Sequence, residues 1–331
     1  MKPFSLRRGV QMEQFVKQYT QTHEQVYNYF GETTKRTMHL ASAYTLANKP
    51  FSGLALQKKF DELKSLLTRN IDTFYTFRTN VVDMNLAAQF IIGSEDKAEI
   101  SSYEQRIKRL IDIGFPKKAS TVSAAFFLTD DENHANRAYV LHTEMKKYHP
   151  ILTGADDIPI SVFITQSKEL NSIDTAKLMN TYYTELKSYF QQGEALQLLS
   201  QLLVLFKPTY DANLVPYVNQ LKIEIEKRKV RVTKPIYHLI GVLALSTTNT
   251  VVLNEVFKLY EELIKTKLLK FNKDIAMQIA IQKTIQTKEN EINATVFKDG
   301  VMWIGLLDLI QLVSLMPINL SGILPDIPFL G

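Results

Sequence analysis

A helical phrase recurs along residues 103–263 and leaves this chain few architectures to choose from. An apolar residue is followed four positions later by another at Tyr103/Ile107, Leu141/Met145, Tyr182/Leu186, Tyr217/Leu221 and Leu259/Leu263. The second members stand 38, 41, 35 and 42 residues apart. After each comes a mostly apolar stretch closing near Thr129, Thr165, Phe206, Thr247 and Thr284. Two helices in such a span form a unit that cannot bury its apolar face alone, so successive units must stack. The expectation is an all-α, α-solenoid-like array of helix pairs, a TPR/HEAT-like superhelix with degenerate repeats.

Within each unit the first helix is amphipathic. Leu214, Val218, Leu221 and Ile225 follow the i, i+4, i+7, i+11 stripe, as do Val252, Val256, Leu259 and Leu263. The second helices are apolar almost all round, as in Leu239–Leu245, which places them inside the stack. Ala124, Ser161 and Gly241 are small enough to let neighbouring backbones approach. Two joints share their spelling: in Asp157-Ile158-Pro159 and Thr233-Lys234-Pro235 a capping residue stands two places before proline.

Ahead of the array the pattern predicts helices over about 10–30, 35–48, 54–69 and 72–92, the first ended by Gly31, the second by Pro50 and the fourth by Gly93. The chain thus divides into an N-terminal helical block (1–95), the array (96–288) and a C-terminal capping helix with an extended tail (289–331). Val301–Leu324 carries one charge, Asp308, and approaches membrane-spanning length. Pro317, Asn319, Gly322 and that central charge argue for a cap on the stack instead of a span.

Composition narrows the chemistry. No cysteine is present, which removes disulfides, thiolate nucleophiles and thiolate-ligated zinc. The basic stretch Met1–Gly9 is followed by no apolar segment of signal-peptide kind, so the cytoplasm is the expected compartment. The balance of 39 basic against 34 acidic residues gives +5, too small a surplus to name a partner. Phosphate-loop, dinucleotide, nucleophile-elbow and zinc-protease motifs are absent from the sequence.

Two segments carry candidate chemistry. In Thr153-Gly154-Ala155-Asp156-Asp157-Ile158-Pro159, adjacent carboxylates could bind a hard cation or act as an acid/base pair. The simpler reading makes Gly154 the end of one helix, Asp157 the cap of the next and Asp156 a partner of the helix dipole. His142 and His149 precede this joint by a few residues. Seven positions apart on one helix they are separated by about 10.5 Å of rise, too far for both rings to share one ion. The basic run Lys227-Arg228-Lys229-Val230-Arg231-Val232-Thr233-Lys234 could contact phosphates. It lacks interleaved aromatics for base stacking, and favourable charge at a helix C-terminus explains it equally.

The segments Glu144-Met145-Lys146-Lys147 and Leu152–Pro159, with the Ile111-Asp112-Ile113-Gly114-Phe115 turn, resemble a Gram-positive bacterial family catalogued as a domain of unknown function, number 4003. The resemblance implies a cytoplasmic bacterial protein and brings no activity, cofactor or catalytic residue. The resulting expectation is a scaffold or adaptor that binds a protein or peptide in the groove of its stack, with no catalytic residue, cofactor or metal assigned. An enzyme or metal-dependent binder at the Gly154–Asp157 joint is the first alternative. Nucleic-acid binding through Lys227–Lys234 is the second.

Overall fold

The computed structural model describes residues 4–70, 79–93, 100–205, 209–247 and 249–287. Among them are fourteen α-helices and no strands. They are α1 (Phe4–Phe30), α2 (Lys35–Leu46), α3 (Gly53–Asn70), α4 (Thr79–Ile92), α5 (Ile100–Asp112), α6 (Ala119–Ala124) and α7 (His134–Tyr148). Then come α8 (Ile158–Ile164), α9 (Ser172–Leu186), α10 (Glu194–Leu202), α11 (Leu214–Lys227), α12 (Tyr237–Ser246), α13 (Val252–Lys265) and α14 (Lys273–Thr287). Short 3-10 turns extend α6 and precede α8 and α12. The predicted segment 289–331, with its Val301–Leu324 stretch, lies outside the described residues.

Short connections make successive helices antiparallel pairs, and the odd and even members bury different amounts of surface. The stripe Leu214, Val218, Leu221 and Ile225 of α11 is buried, while Glu226 and Lys227 are exposed. α8 is buried along its whole length, and so is α12 from Tyr237 to Ala244. The even helices are therefore the inner layer, as their unbroken apolar runs require. Gly241 shows why small residues matter here. A Cβ at that position would meet Leu199 Cδ1 of α10 at 2.4 Å. Gly114 serves a turn instead: its φ of +117° closes the α5–α6 connection beneath the Tyr139 ring.

The inner helices run parallel, each beside the next. Phe90 of α4 packs edge-on against Phe126 at 5.4 Å, and Phe127 meets Phe163 of α8 at 5.5 Å. Gln278 of α14 donates to the Pro235 carbonyl at the start of α12. The circuit then closes. Lys35 at the start of α2 pairs with Asp274 at the start of α14 at 2.9 Å. Gln286 near the end of α14 donates to the carbonyl of Leu46 at the end of α2. Lys283 lies over the Phe15 ring of α1, and α1 also touches α13.

An open superhelix leaves the outer faces of its first and last pairs to solvent. Here α1 and α2 pack against α13 and α14. In the N-terminal region α1 touches α13 and α2 touches α14, while α3 touches α5 and α4 touches α6.

Candidate functional site

Asp157 is the buried carboxylate around which the first candidate segment is organised. The chain leaves α7 at His149, passes Gly154 in extended conformation (φ −126°) and makes a turn over Ala155–Asp157 before α8. Asp157 Oδ2 accepts from the Gly154 backbone N–H at 2.9 Å. Its Oδ1 accepts from Gln197 Nε2 at 2.9 Å and Gln201 Nε2 at 2.8 Å, both on α10. Gln197 Nε2 also donates to Thr153 Oγ1. Burial pushes the Asp157 carboxyl above its ordinary value, against the pull of the Gln201 and Gly154 hydrogen bonds.

This geometry corrects the cap reading in detail. Asp157 stands at the N-cap of α8 yet makes no side-chain bond to its first turn, and Thr233 makes none at its own joint. Gly154 ends no helix; it opens the turn before α8. Asp156 is exposed, and its charge raises the Asp157 pKa further. The proline placement holds, with Pro159 and Pro235 both in a first turn.

The two histidines go to different partners. His142 Nε2 donates to the Gly154 carbonyl at 2.8 Å, and its ring lies against Phe115. His149 packs on Tyr183 of α9 with ring centroids 4.4 Å apart, and burial lowers its pKa. It lines a small cleft with Met145, Met179, Gln197 and Gln201 that has room for about one water. Among the described residues no group of three or more His, Asp or Glu is placed to hold a metal ion.

Sequence reasoning missed Gln197 and Gln201. Their i, i+4 spacing was legible, but nothing local tied them to a carboxylate 40 and 44 residues upstream. It also missed a chemical repeat. Asp131, Asn171, Asp211 and Asn249 each accept from a backbone N–H two residues on, at the joint that opens α7, α9, α11 and α13. Their spacings of 40, 40 and 38 are more regular than those of the apolar pairs.

The basic run is partly committed. Arg228 donates to the Leu253 carbonyl and Asn254 Oδ1 while lying over the Phe257 ring at 4.5 Å. Lys227 pairs with Glu224. Lys229, in left-handed conformation at φ +61°, is exposed together with Arg231 and Lys234.

These residues belong to a larger surface. Because the inner helices are parallel, the joints within pairs gather on one face of the array and the joints between pairs on the other. The described within-pair joints (31–34, 113–118, 149–157, 187–193, 228–236 and 266–272) hold nine basic and three acidic residues, a surplus of six positive. The described residues of the opposite joints (47–52, 128–133, 165–171, 203–213 and 247–251) hold two basic and five acidic, a surplus of three negative. The small overall charge thus conceals a polarised molecule.

Comparison with known proteins adds a lineage. The sequence profile of a family described as "Protein of unknown function (DUF4003)" matches residues 19–313. The chain is similar to "Uncharacterized protein YeaA" of Bacillus subtilis (strain 168), 23% identical over 260 residues that cover 74% of each protein. No solved structure matches. Among the described residues, no helix is long and apolar enough to cross a membrane.

Proposed function

We propose a function from geometry for this chain, which belongs to the DUF4003 family of proteins of unknown function: it is a cytoplasmic recognition scaffold, a closed solenoid-like array of degenerate helix pairs that binds through its hairpin-tip face. The charge separation between the two faces carries this reading. A peptide-binding groove, expected of an open stack, has little support where the inner layer is buried against itself and the lined cleft admits about one water. The binding surface is then the broad, positively charged tip face, suited to a macromolecule of negative charge, such as the acidic surface of a protein that the scaffold holds.

Retention on a polyanionic heparin matrix tests this. Replacing Lys229, Arg231 and Lys234 by Glu is expected to lower the eluting salt concentration markedly, because each lost contact reduces counterion release. Replacing Lys49 and Lys168 on the opposite face should leave it unchanged. Equal retention of both triple and double variants would overturn the reading.

The alternative of a catalytic or metal site at Gly154–Asp157 has less support. Asp157 already accepts three N–H donors, which a cation would have to displace. A melting-temperature rise with divalent cations, lost in Asp157→Asn, would favour it over the scaffold. Sequence-specific nucleic-acid binding is weakened by the commitment of Arg228 to α13.

A further inference from the structure

Four consecutive tips form a continuous arc. The 149–157 tip reaches the 187–193 tip through the His149–Tyr183 stack and the Gln197–Thr153 bond. The latter meets the 228–236 tip where Phe190 packs on Tyr237 at 4.8 Å. That tip in turn is joined to α14, which follows the 266–272 tip, by the Gln278–Pro235 bond. Along this arc large apolar side chains stand in solvent. Ile151 is 95% exposed and Phe271 85%, with Tyr148 and Tyr189 partly exposed between them. Lysines flank them: Lys146 and Lys147 before Tyr148, Lys187 before Tyr189, Lys267 and Lys270 before Phe271.

Resting on the reading of the tip face as the recognition surface, we propose that the surface it meets is that of an anionic lipid bilayer, with Phe271 and Ile151 entering the interface and the lysines lying over the headgroups. Three observations select this partner. Charge complementarity demands an anionic surface, and the four tips of the arc supply it with seven basic against two acidic residues. A largely solvated Phe or Ile has little to gain from a polar polyanion, whereas the headgroup–acyl boundary takes both, and Lys270, whose ammonium lies over the Phe271 ring, would sit at the headgroups beside it. Ile151 in particular has no aromatic face on which a base could stack. The opposite face also exposes large apolar residues, Leu54 at 84% and Val251, but the described residues of its joints together carry a net negative charge, which lies at other joints than theirs. Apolar exposure is common to both faces; the tip face as a whole joins it to net positive charge, with the bases on the 187–193, 228–236 and 266–272 tips and on Lys146 and Lys147, while the Ile151 tip itself holds Asp156 and Asp157. Docking of this kind involves no spanning helix and is reversible.

Co-sedimentation of the full chain with vesicles tests the proposal. Vesicles of phosphatidylglycerol and phosphatidylcholine in equal parts should bind it, pure phosphatidylcholine should not, and added salt should weaken binding steeply. Phe271→Ser and Ile151→Ser are each expected to weaken vesicle binding about tenfold. Both sites are open to solvent, so helicity by circular dichroism should be unchanged. Leu54→Ser should have no effect, and Lys267→Glu with Lys270→Glu should abolish binding. Absence of binding to the anionic vesicles, or binding indifferent to both Ser variants, overturns the lipid proposal. If heparin retention still depends on Lys229, Arg231 and Lys234, the recognition face stands and its partner is another polyanion, such as an acidic protein or RNA. If that dependence is absent as well, the underlying reading fails with it.

Discussion

His134 stands buried at the start of α7 and Asp157 stands half-buried just before α8, and each is a titratable group held by three hydrogen-bonding contacts. His134 ties its own pair together: its Nε2–H donates to the Val162 carbonyl of α8 at 2.8 Å, and its Nδ1 accepts from Thr129 N–H and hydroxyl. Asp157 ties its pair to the next, through Gln197 and Gln201 of α10. The contacts of His134 require the neutral ring, because a carbonyl can only accept and Nδ1 must keep its lone pair. The contacts of Asp157 are all donors and favour the carboxylate, although burial opposes it. One joint is thus built on a neutral group and the other on a charge. The difference teaches that a link between units can be stronger chemically, and more sensitive to loss of a partner, than the link within one.

The largest expected effect follows from removing that carboxyl group and its acceptor oxygens. Asp157→Ala leaves two glutamine amides and the Gly154 N–H without their acceptor, and should cost about 3–4 kcal/mol in urea unfolding. Asp157→Asn retains one acceptor oxygen and should cost less. Because burial raises the folded carboxyl's pKa, the native state holds its proton more tightly than the unfolded chain does. Stability from this group therefore falls as pH rises from the ordinary carboxylate value through the raised one, and Asp157→Asn should lack that fall. A wild-type curve parallel to that of Asp157→Asn through this window would remove the charged half of the comparison.

His134 should show the opposite sign with slightly smaller magnitude. Burial foremost, with Arg137 and Arg109 assisting, lowers its pKa from 6.5 to about 4. The unfolded chain then binds more protons between those values, so stability is complete above pH 6.5 and is lost as pH falls toward 4. The loss amounts to about 3 kcal/mol over that window. His134→Gln, which keeps a donor and an acceptor, should be less stable at neutral pH yet flatter between pH 6.5 and 4. Nuclear magnetic resonance titration of the ring gives the same answer directly, and an ordinary pKa would break the contrast.

How much of this could be read in advance depended on sequence distance. Val218, Leu221 and Ile225 declare their buried stripe within one helix, and the pairs built on such stripes are all present. The Asx joints at Asp131, Asn171, Asp211 and Asn249 were legible too, as a period of about 40 residues, had polar residues been aligned instead of apolar ones. Closure was not legible. Lys35 and Asp274 are ordinary surface residues in any local window, and only the packing of α2 on α14 brings them to 2.9 Å. Gln197 failed for the same reason at shorter range: an amide on an apolar helix acquires meaning only from the carboxylate that faces it. The polarised faces stayed hidden because the whole-chain charge averages over both.

A smaller effect tests whether equal spelling means equal energetics. Gln201→Ala removes one of Asp157's donors and leaves the rest, and should cost about 1–2 kcal/mol.

The smallest effect is expected at Thr233, whose joint has the same cap-x-Pro spelling as Asp157's. A Thr that caps a helix costs about 1 kcal/mol when truncated to Ala. Thr233 makes no such bond, however, and its joint is held from outside by Gln278 Nε2 on the Pro235 carbonyl. Thr233→Ala should therefore shift the urea midpoint by less than about 0.5 kcal/mol of stability. Gln278→Ala, which leaves that carbonyl without its donor, should cost about 1 kcal/mol. The two joints then differ in mechanism despite their shared sequence: one is anchored by its own carboxylate reaching forward, the other by a neighbour's amide reaching back. A full capping loss at Thr233 with none at Gln278 would make the joints equivalent, and the long-range bonds would be decoration on a local cap.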